Sequence, residues 1–108
     1  MLFSDVLKTA ESEGREKHVP IIEMDGDRVR VMVGKEVPHP NMIEHHIAWL
    51  ELFGVKQDGQ VIALGRADFA PTFSEPNAVF EVKIDLFKAF LAVSYCNIHG
   101  VWQNGLDI

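Results

Sequence analysis

The chain has 108 residues, a length that fits one domain, and 47% of them are hydrophobic. This share of apolar side chains is enough for a buried core without disulfides or obligatory assembly. The formal net charge of −6 argues against a nucleic-acid partner, because phosphate binding requires a basic surface. We therefore expect a single domain over residues 1–108 that does not bind nucleic acid.

The sequence also bears on the compartment of the protein and on its association with membranes. The first residues have neither a basic start nor a long apolar run, so no signal peptide is predicted. No stretch approaches the roughly 20 apolar residues that span a bilayer, so no membrane partner is expected. The single cysteine, Cys96, cannot form an internal disulfide, which favours a reducing compartment or a thiolate committed to a metal. We expect a cytoplasmic protein.

The first half of the chain predicts one short helical or irregular segment and then strands. Ser4-Asp5 can cap a short helix that carries Ala10 on its apolar side. A strand is predicted over 19–24 and is followed by a hairpin-type turn at Asp25-Gly26. Apolar and polar side chains then alternate over 29–33, which is typical of a half-buried strand.

The second half predicts further strands separated by turn residues, over 47–53, 61–64, 80–85 and 87–95. Residues 68–77, with two prolines, predict a loop or an irregular edge. About seven short strands indicate an all-β fold, an antiparallel sandwich or a barrel. Five aromatic residues are predicted to lie in the core: Trp49, Phe53, Phe80, Phe90 and Tyr95.

Six metal-binding side chains are concentrated in three short stretches: His18, then His39, His45 and His46, then Cys96 and His99. Imidazole and thiolate together favour a late first-row transition metal. Neighbouring residues of an extended chain point to opposite faces, so only one of His45 and His46 is expected to bind. The remaining four imidazoles and one thiolate would leave an octahedral ion one open position, which favours reactive iron over structural zinc. The alternative is a buried Cys96 among unrelated surface histidines.

Three runs of residues resemble the superoxide reductases, namely the one-iron neelaredoxins and the iron centre II domain of desulfoferrodoxin. The runs are Glu16-Lys17-His18-Val19-Pro20, Pro38-His39-Pro40-Asn41 with Glu44-His45-His46-Ile47, and Tyr95-Cys96-Asn97-Ile98-His99-Gly100-Val101-Trp102. The resemblance covers residues 14–102, in the order of the family. The chain has no four-cysteine rubredoxin-like domain, and its stretch 69–78 is shorter than the loop of some relatives.

The resemblance implies an immunoglobulin-like, seven-stranded antiparallel β-sandwich that holds one mononuclear non-haem iron. The implied ligands are four equatorial imidazoles and one axial thiolate: His18, His39, His45, His99 and Cys96. Backbone N–H groups near His99 are expected to donate to the sulfur and to tune it. His46 is not a ligand in the family. Trp102, which follows the turn that carries the ligands, is a candidate cover for the iron or an ordinary packing residue.

The resemblance also implies a reaction, the one-electron reduction of superoxide to hydrogen peroxide with an external electron donor. Glu16 matches the glutamate that can close over ferric iron, and Lys17 matches the lysine that attracts superoxide and helps to protonate bound peroxide. The implied partners are a rubredoxin or similar donor, and further copies of the chain, with a homotetramer favoured.

The sequence leaves two other functions open. One is a non-catalytic module that binds iron or zinc for structure or electron transfer, and the other is a metal-free sandwich used for protein contacts. Glu16 and Lys17 favour the enzyme, because a structural site requires neither a mobile carboxylate nor an anion-attracting lysine.

Overall fold

Seven β-strands form most of the regular structure in the computed structural model, which describes residues 1–9 and 18–108. The strands are β1 (Ile21–Asp25), β2 (Arg28–Met32), β3 (Ile47–Lys56), β4 (Val61–Asp68), β5 (Asn77–Glu81), β6 (Phe87–Cys96) and β7 (Gly100–Asp107). The helices among these residues are two short 3-10 helices, Phe3–Asp5 and Ile84–Leu86. Within the same residues, no helix is long and apolar enough to cross a membrane.

The strands form two antiparallel sheets that pack face to face. One sheet has the order β1-β2-β5 and the other has the order β4-β3-β6-β7. Every pair of neighbouring strands is antiparallel. The all-β, immunoglobulin-like sandwich expected from the sequence is confirmed.

The core lies between the two sheets and follows the period-two alternation of the strands. Its buried members are Ile22, Val29, Val31, Leu50, Leu52, Val82, Phe87, Phe90 and Ala92. Along β6 the even-numbered residues from Phe90 onward are buried, and this inward face continues to Cys96 at the end of the strand. The sandwich core therefore leads directly to the only cysteine.

Of the five aromatic residues predicted to lie in the core, Phe90 is fully buried and Phe80 packs partly buried against the core. The prediction is wrong for Trp49, Phe53 and Tyr95, which are half-buried, and the rings of Trp49 and Tyr95 lie 5.7 Å apart between their centroids. The guanidinium of Arg66 lies 4.6 Å from the centre of the Trp49 ring. An apolar strand does not reveal by itself which of its two faces is inward, and on the outer face Arg66 covers Trp49.

The N-terminal segment is mostly irregular. Among residues 1–9, only Phe3–Asp5 is helical, and Ala10 lies outside the described residues. Lys8 instead forms a parallel bridge with Trp102 of β7. Its N–H donates to the carbonyl of Val101 at 3.2 Å, and its carbonyl accepts from the N–H of Gln103 at 2.9 Å. The edge of β7 offers backbone groups that a passing segment can satisfy, and this overrides the weak local helix signal.

All the predicted metal ligands lie at one end of the sandwich. His18 precedes β1, His39 and His45 lie in the connection from β2 to β3, Cys96 ends β6, and His99 precedes β7. The pairing of Ile47 with Cys96 and of Cys96 with Gly100 brings three of these strand ends together. Antiparallel pairing thus gathers segments that are far apart in the sequence.

Candidate metal centre

Four of the five predicted ligands converge closely. One donor atom from each of His18, His39, His45 and Cys96 lies within 4.8 Å of every other. His18, His39 and Cys96 are buried, and His45 is half-buried. Three separated segments of the chain therefore meet at one cluster of metal-binding atoms.

The rings of four histidines surround a common centre. Neighbouring ring centroids lie 4.8 Å apart for His18 and His39, 4.8 Å for His39 and His45, 5.0 Å for His45 and His99, and 4.6 Å for His99 and His18. His18 and His45 lie across the diagonal, 6.5 Å apart. The ratio of this diagonal to the sides is close to the ratio of diagonal to side in a square. The fifth predicted ligand, His99, thus occupies the fourth corner, although it is more exposed than the others.

This arrangement fits a transition-metal ion. Metal–imidazole bonds are roughly 2.0–2.1 Å long, and the ring centre lies about another angstrom beyond the nitrogen. Half of the diagonal between His18 and His45 is close to the sum of these two lengths. The sulfur of Cys96 lies within the same cluster, and imidazole with thiolate is a donor set for late first-row metals. Residues His18, His39, His45, His99 and Cys96 can therefore hold one ion.

The turn after β6 carries both Cys96 and His99. The backbone N–H of His99 donates to the sulfur of Cys96 at 3.4 Å, as the resemblance led us to expect. The sulfur is also 3.7 Å from Nδ1 of His99. Gly100 closes the turn with φ +89, a conformation that glycine adopts without strain. The turn therefore brings two donors three residues apart to one side and supplies a hydrogen bond to the sulfur.

The orientation of His39 is set by its own loop. Nδ1 of His39 lies 2.7 Å from the carbonyl oxygen of Pro40. A carbonyl oxygen can only accept, so Nδ1 carries the proton. Nε2 then carries the lone pair and is the nitrogen that can bind a metal, the arrangement by which a hydrogen-bonded histidine is prepared as a metal ligand.

Gly34 is required by the path of the chain to His39. Its φ is +87, and a Cβ at this position would lie 2.7 Å from the backbone nitrogen of His39. We expect Gly34→Ala to lower the free energy of unfolding by at least about 1–3 kcal/mol, the usual cost of such backbone strain, and to weaken metal binding. Chemical denaturation and titration with Co²⁺ measure the two effects.

The matched control is Gly59→Ala, because Gly59 has φ +90 but nothing within 4 Å of the added Cβ. This variant has comparable dihedral strain without the collision. Equal metal affinity in the two alanine variants would contradict a specific role for Gly34 in placing His39.

His18 is held by polar side chains of the opposite sheet. The hydroxyl of Ser94, fully buried in β6, donates to the carbonyl of His18 at 3.0 Å. The amide of Asn104 donates to the carbonyl of Pro20, also at 3.0 Å. Trp102 stacks on the His18 ring, with centroids 4.9 Å apart and planes 16° apart. Trp102 thus covers one side of a candidate ligand.

A lysine that the sequence did not single out lies beside the cluster. Nζ of Lys8 donates to the carbonyl of His99 at 3.0 Å and lies 5.4 Å from the centre of the Trp102 ring. Nε1 of Trp102 donates to the same carbonyl at 3.2 Å. Lys8 carries no motif of its own, so only its bridge to β7 reveals this position. The N-terminal segment thereby fastens the turn that carries His99.

His46, Glu16 and Lys17 are the other residues that the sequence analysis discussed for the site. Nδ1 of His46 lies 3.1 Å from the carbonyl of Met42 and 3.2 Å from that of Ile43, so this ring is turned back onto its own loop. Glu16 and Lys17 lie outside the described residues, and they immediately precede His18 in the sequence.

Comparison with known proteins places the chain in a family. The family described as desulfoferrodoxin matches residues 10–105. The chain belongs to the desulfoferrodoxin family. The superoxide reductase of Pyrococcus abyssi is 46% identical to it over an alignment of 115 positions, which covers 99% of each chain. The resemblance inferred from the three runs is therefore confirmed.

Solved structures agree with this desulfoferrodoxin-family assignment. The superoxide reductase (neelaredoxin) of Ignicoccus hospitalis matches with a TM-score of 0.85 and 32% identity, over 100% of this chain and 98% of the other. The superoxide reductase (1Fe-SOR) of Giardia intestinalis matches with a TM-score of 0.80 and 36% identity, over 87% of this chain and 100% of the other. The sandwich that supports the cluster is thus shared with these two proteins.

Proposed function

We propose that this desulfoferrodoxin-family protein is a superoxide reductase with one mononuclear iron held by His18, His39, His45, His99 and Cys96. The observation that carries the proposal is the square of four imidazole rings with a buried cysteine sulfur beside it. Five protein ligands leave an octahedral ion one position, which superoxide can occupy. A structural zinc site would instead have four ligands in a closed tetrahedron.

The reaction adds one electron and two protons to superoxide and yields hydrogen peroxide without dioxygen. Bound iron supplies the electron, and an external donor replaces it. The chain contributes the shape and polarity of the site. Burial of His18, His39 and Cys96 keeps bulk water from the inner side of the cluster. The sulfur of Cys96 would donate electron density to a bound metal, and the hydrogen bond from the N–H of His99 would moderate that donation.

Glu16 and Lys17 are proposed to act on the open side of the site. Lys17 attracts the superoxide anion and helps to deliver a proton to the product through water. Glu16 would supply a carboxylate to the oxidised metal when no substrate is bound. The net charge of −6 repels anions at long range, but a lysine beside a cation creates a locally positive entrance. Charges farther away than the Debye length of about 8 Å are largely screened at physiological salt.

Lys17→Ala is expected to lower the second-order rate constant for superoxide roughly tenfold at low ionic strength, because electrostatic steering is lost. The difference from the unmodified protein should shrink as salt is added. Pulse radiolysis at several salt concentrations measures both effects. Lys88→Ala, a change of an exposed lysine at the start of β6, is the control and should keep the rate. A rate unaffected by Lys17→Ala at low salt would contradict the steering role.

Metal analysis together with a superoxide assay tests the proposed activity. Protein loaded with Fe²⁺ should consume superoxide in an amount equal to its iron and release peroxide without dioxygen. Turnover should continue only when a reduced electron donor is added. A colourless protein that carries stoichiometric zinc and is not oxidised by superoxide would instead support the non-catalytic metal-binding module.

We also propose an electron donor, a cellular location and an oligomeric state for the protein. The donor is a rubredoxin or a similar small electron-transfer protein. The chain acts as one domain over residues 1–108, in the cytoplasm, and assembles as a homo-oligomer, for which a tetramer is favoured. Reduction kinetics with rubredoxin, together with light scattering to determine mass, test the first and last of these statements.

A further inference from the structure

The side chain of Asn97 joins two of the segments that carry candidate ligands. Its Oδ1 accepts a hydrogen bond from the backbone N–H of His46 at 2.8 Å. Its Nδ2 donates to the carbonyl of Glu44 at 3.1 Å. The two partners are the residues immediately before and after His45, so the amide of Asn97 holds the backbone on both sides of that residue.

The backbone around Asn97 adds to this connection. The N–H of Asn97 donates to the carbonyl of His46 at 3.2 Å. On the other side, Met42 and His45 exchange backbone hydrogen bonds of 2.9 and 3.0 Å, which close the loop that carries His45. Asn97 itself directly follows Cys96, and it lies in the turn that ends in His99. Any displacement of Asn97 is therefore transmitted to His45 relative to the sulfur.

Only asparagine supplies this set of bonds at this length. The site requires one acceptor for an N–H and one donor for a carbonyl, which an amide offers on a single planar group. Aspartate has no donor at neutral pH, and glutamine places its amide one methylene farther from the backbone. The third run that resembles the family contains Asn97, but it gives no indication of the partners of this residue in the loop 42–46.

We propose that Asn97 is a positioning residue for the metal centre, which holds His45 at bonding distance from the ion that Cys96 binds. The proposal rests on the ligand set proposed above and does not depend on the reaction with superoxide. Residues that orient metal ligands typically change metal affinity by about 10–100-fold when they are removed. Asn97 is exposed, so its hydrogen bonds contribute little to the stability of the metal-free protein.

The test is a Co²⁺ titration of the full chain, with a chelator as competitor and the visible spectrum as a second readout. Asn97→Ala should weaken Co²⁺ binding by about 10–100-fold and should shift the sulfur-to-cobalt absorption band. Asn77→Ala is the matched control, since Asn77 also accepts a side-chain hydrogen bond, from Arg30 at 2.9 Å. This control should leave affinity and spectrum unchanged.

A double-mutant cycle shows whether Asn97 acts through His45. In a His45→Ala background, Asn97→Ala should have little further effect on affinity, whereas in a His18→Ala background it should keep its full effect. Equal losses in both backgrounds, or an Asn97→Ala protein with unchanged affinity and spectrum, would overturn the proposal. If the unmodified chain binds no Co²⁺, the ligand set itself is wrong. If the unmodified chain binds Co²⁺ and the iron-loaded protein does not react with superoxide, only the proposed enzymatic function is contradicted.

Discussion

Cys96→Ser is expected to abolish the visible absorption of the iron-loaded protein. It is also expected to slow the oxidation of the iron by superoxide more than about tenfold. The reason for both effects is that the thiolate is the only soft, electron-donating ligand among the five proposed. Cys96 is fully buried at the end of β6, and its sulfur accepts a hydrogen bond from the backbone N–H of His99. A serine hydroxyl is smaller and stays protonated at neutral pH. It therefore fills most of the space of the sulfur, but without the charge of a thiolate or its donation to the metal.

Absorption spectroscopy and stopped-flow oxidation of the iron-loaded variant measure these effects. Thermal unfolding of the metal-free variant is the control and should change only modestly, because the buried hydroxyl can accept the N–H of His99 in place of the sulfur. A variant that keeps the visible band would contradict the assignment of Cys96 as a metal ligand. A variant without the band but with the full rate would contradict the role of the sulfur in the reaction.

His45→Ala and His46→Ala should have opposite outcomes although the residues are neighbours. The ring of His45 is at one corner of the square, 4.8 Å from the ring of His39 and 5.0 Å from that of His99. The ring of His46 is held against the carbonyls of Met42 and Ile43. We expect His45→Ala to lower metal affinity by at least about a hundredfold, a loss at the top of the range seen for residues that only orient a ligand.

His46→Ala should retain its iron, because the change leaves the bond from the backbone N–H of His46 to Asn97 in place. Metal content of the purified variants and competition with a chelator distinguish the two cases. The reverse pattern, with iron lost in His46→Ala and kept in His45→Ala, would show that the assigned register of the loop is wrong.

Local pattern was sufficient to predict most of the strands. The alternation over 29–33 and the apolar runs over 47–53 and 87–95 each correspond to an observed strand, because burial of one face leaves a period-two record. The pattern did not reveal β7, which contains Gln103, Asn104 and Gly105. Its pairing with β6 and with Lys8 compensates for its weak apolar signal.

The candidate ligands could be recognised from residue type and spacing, but their supports could not. Ser94 and Asn104 are ordinary polar residues of strands, and their bonds to the carbonyls of His18 and Pro20 span 76 and 84 positions in the sequence. Lys8 reaches His99 across 91 positions. Such contacts exist only after the two sheets have packed, so no local pattern records them.

The sequence by itself determined the chemistry available to this protein, because soft donors in three short runs restrict both the metal and the family. It also determined the class of fold, since period-two burial requires sheets that cover each other. Only the tertiary structure decided that His18, His39, His45 and His99 stand in a square beside Cys96. The physical reason is that antiparallel pairing brings distant strand ends to one end of the sandwich, where side chains such as Asn97 hold them.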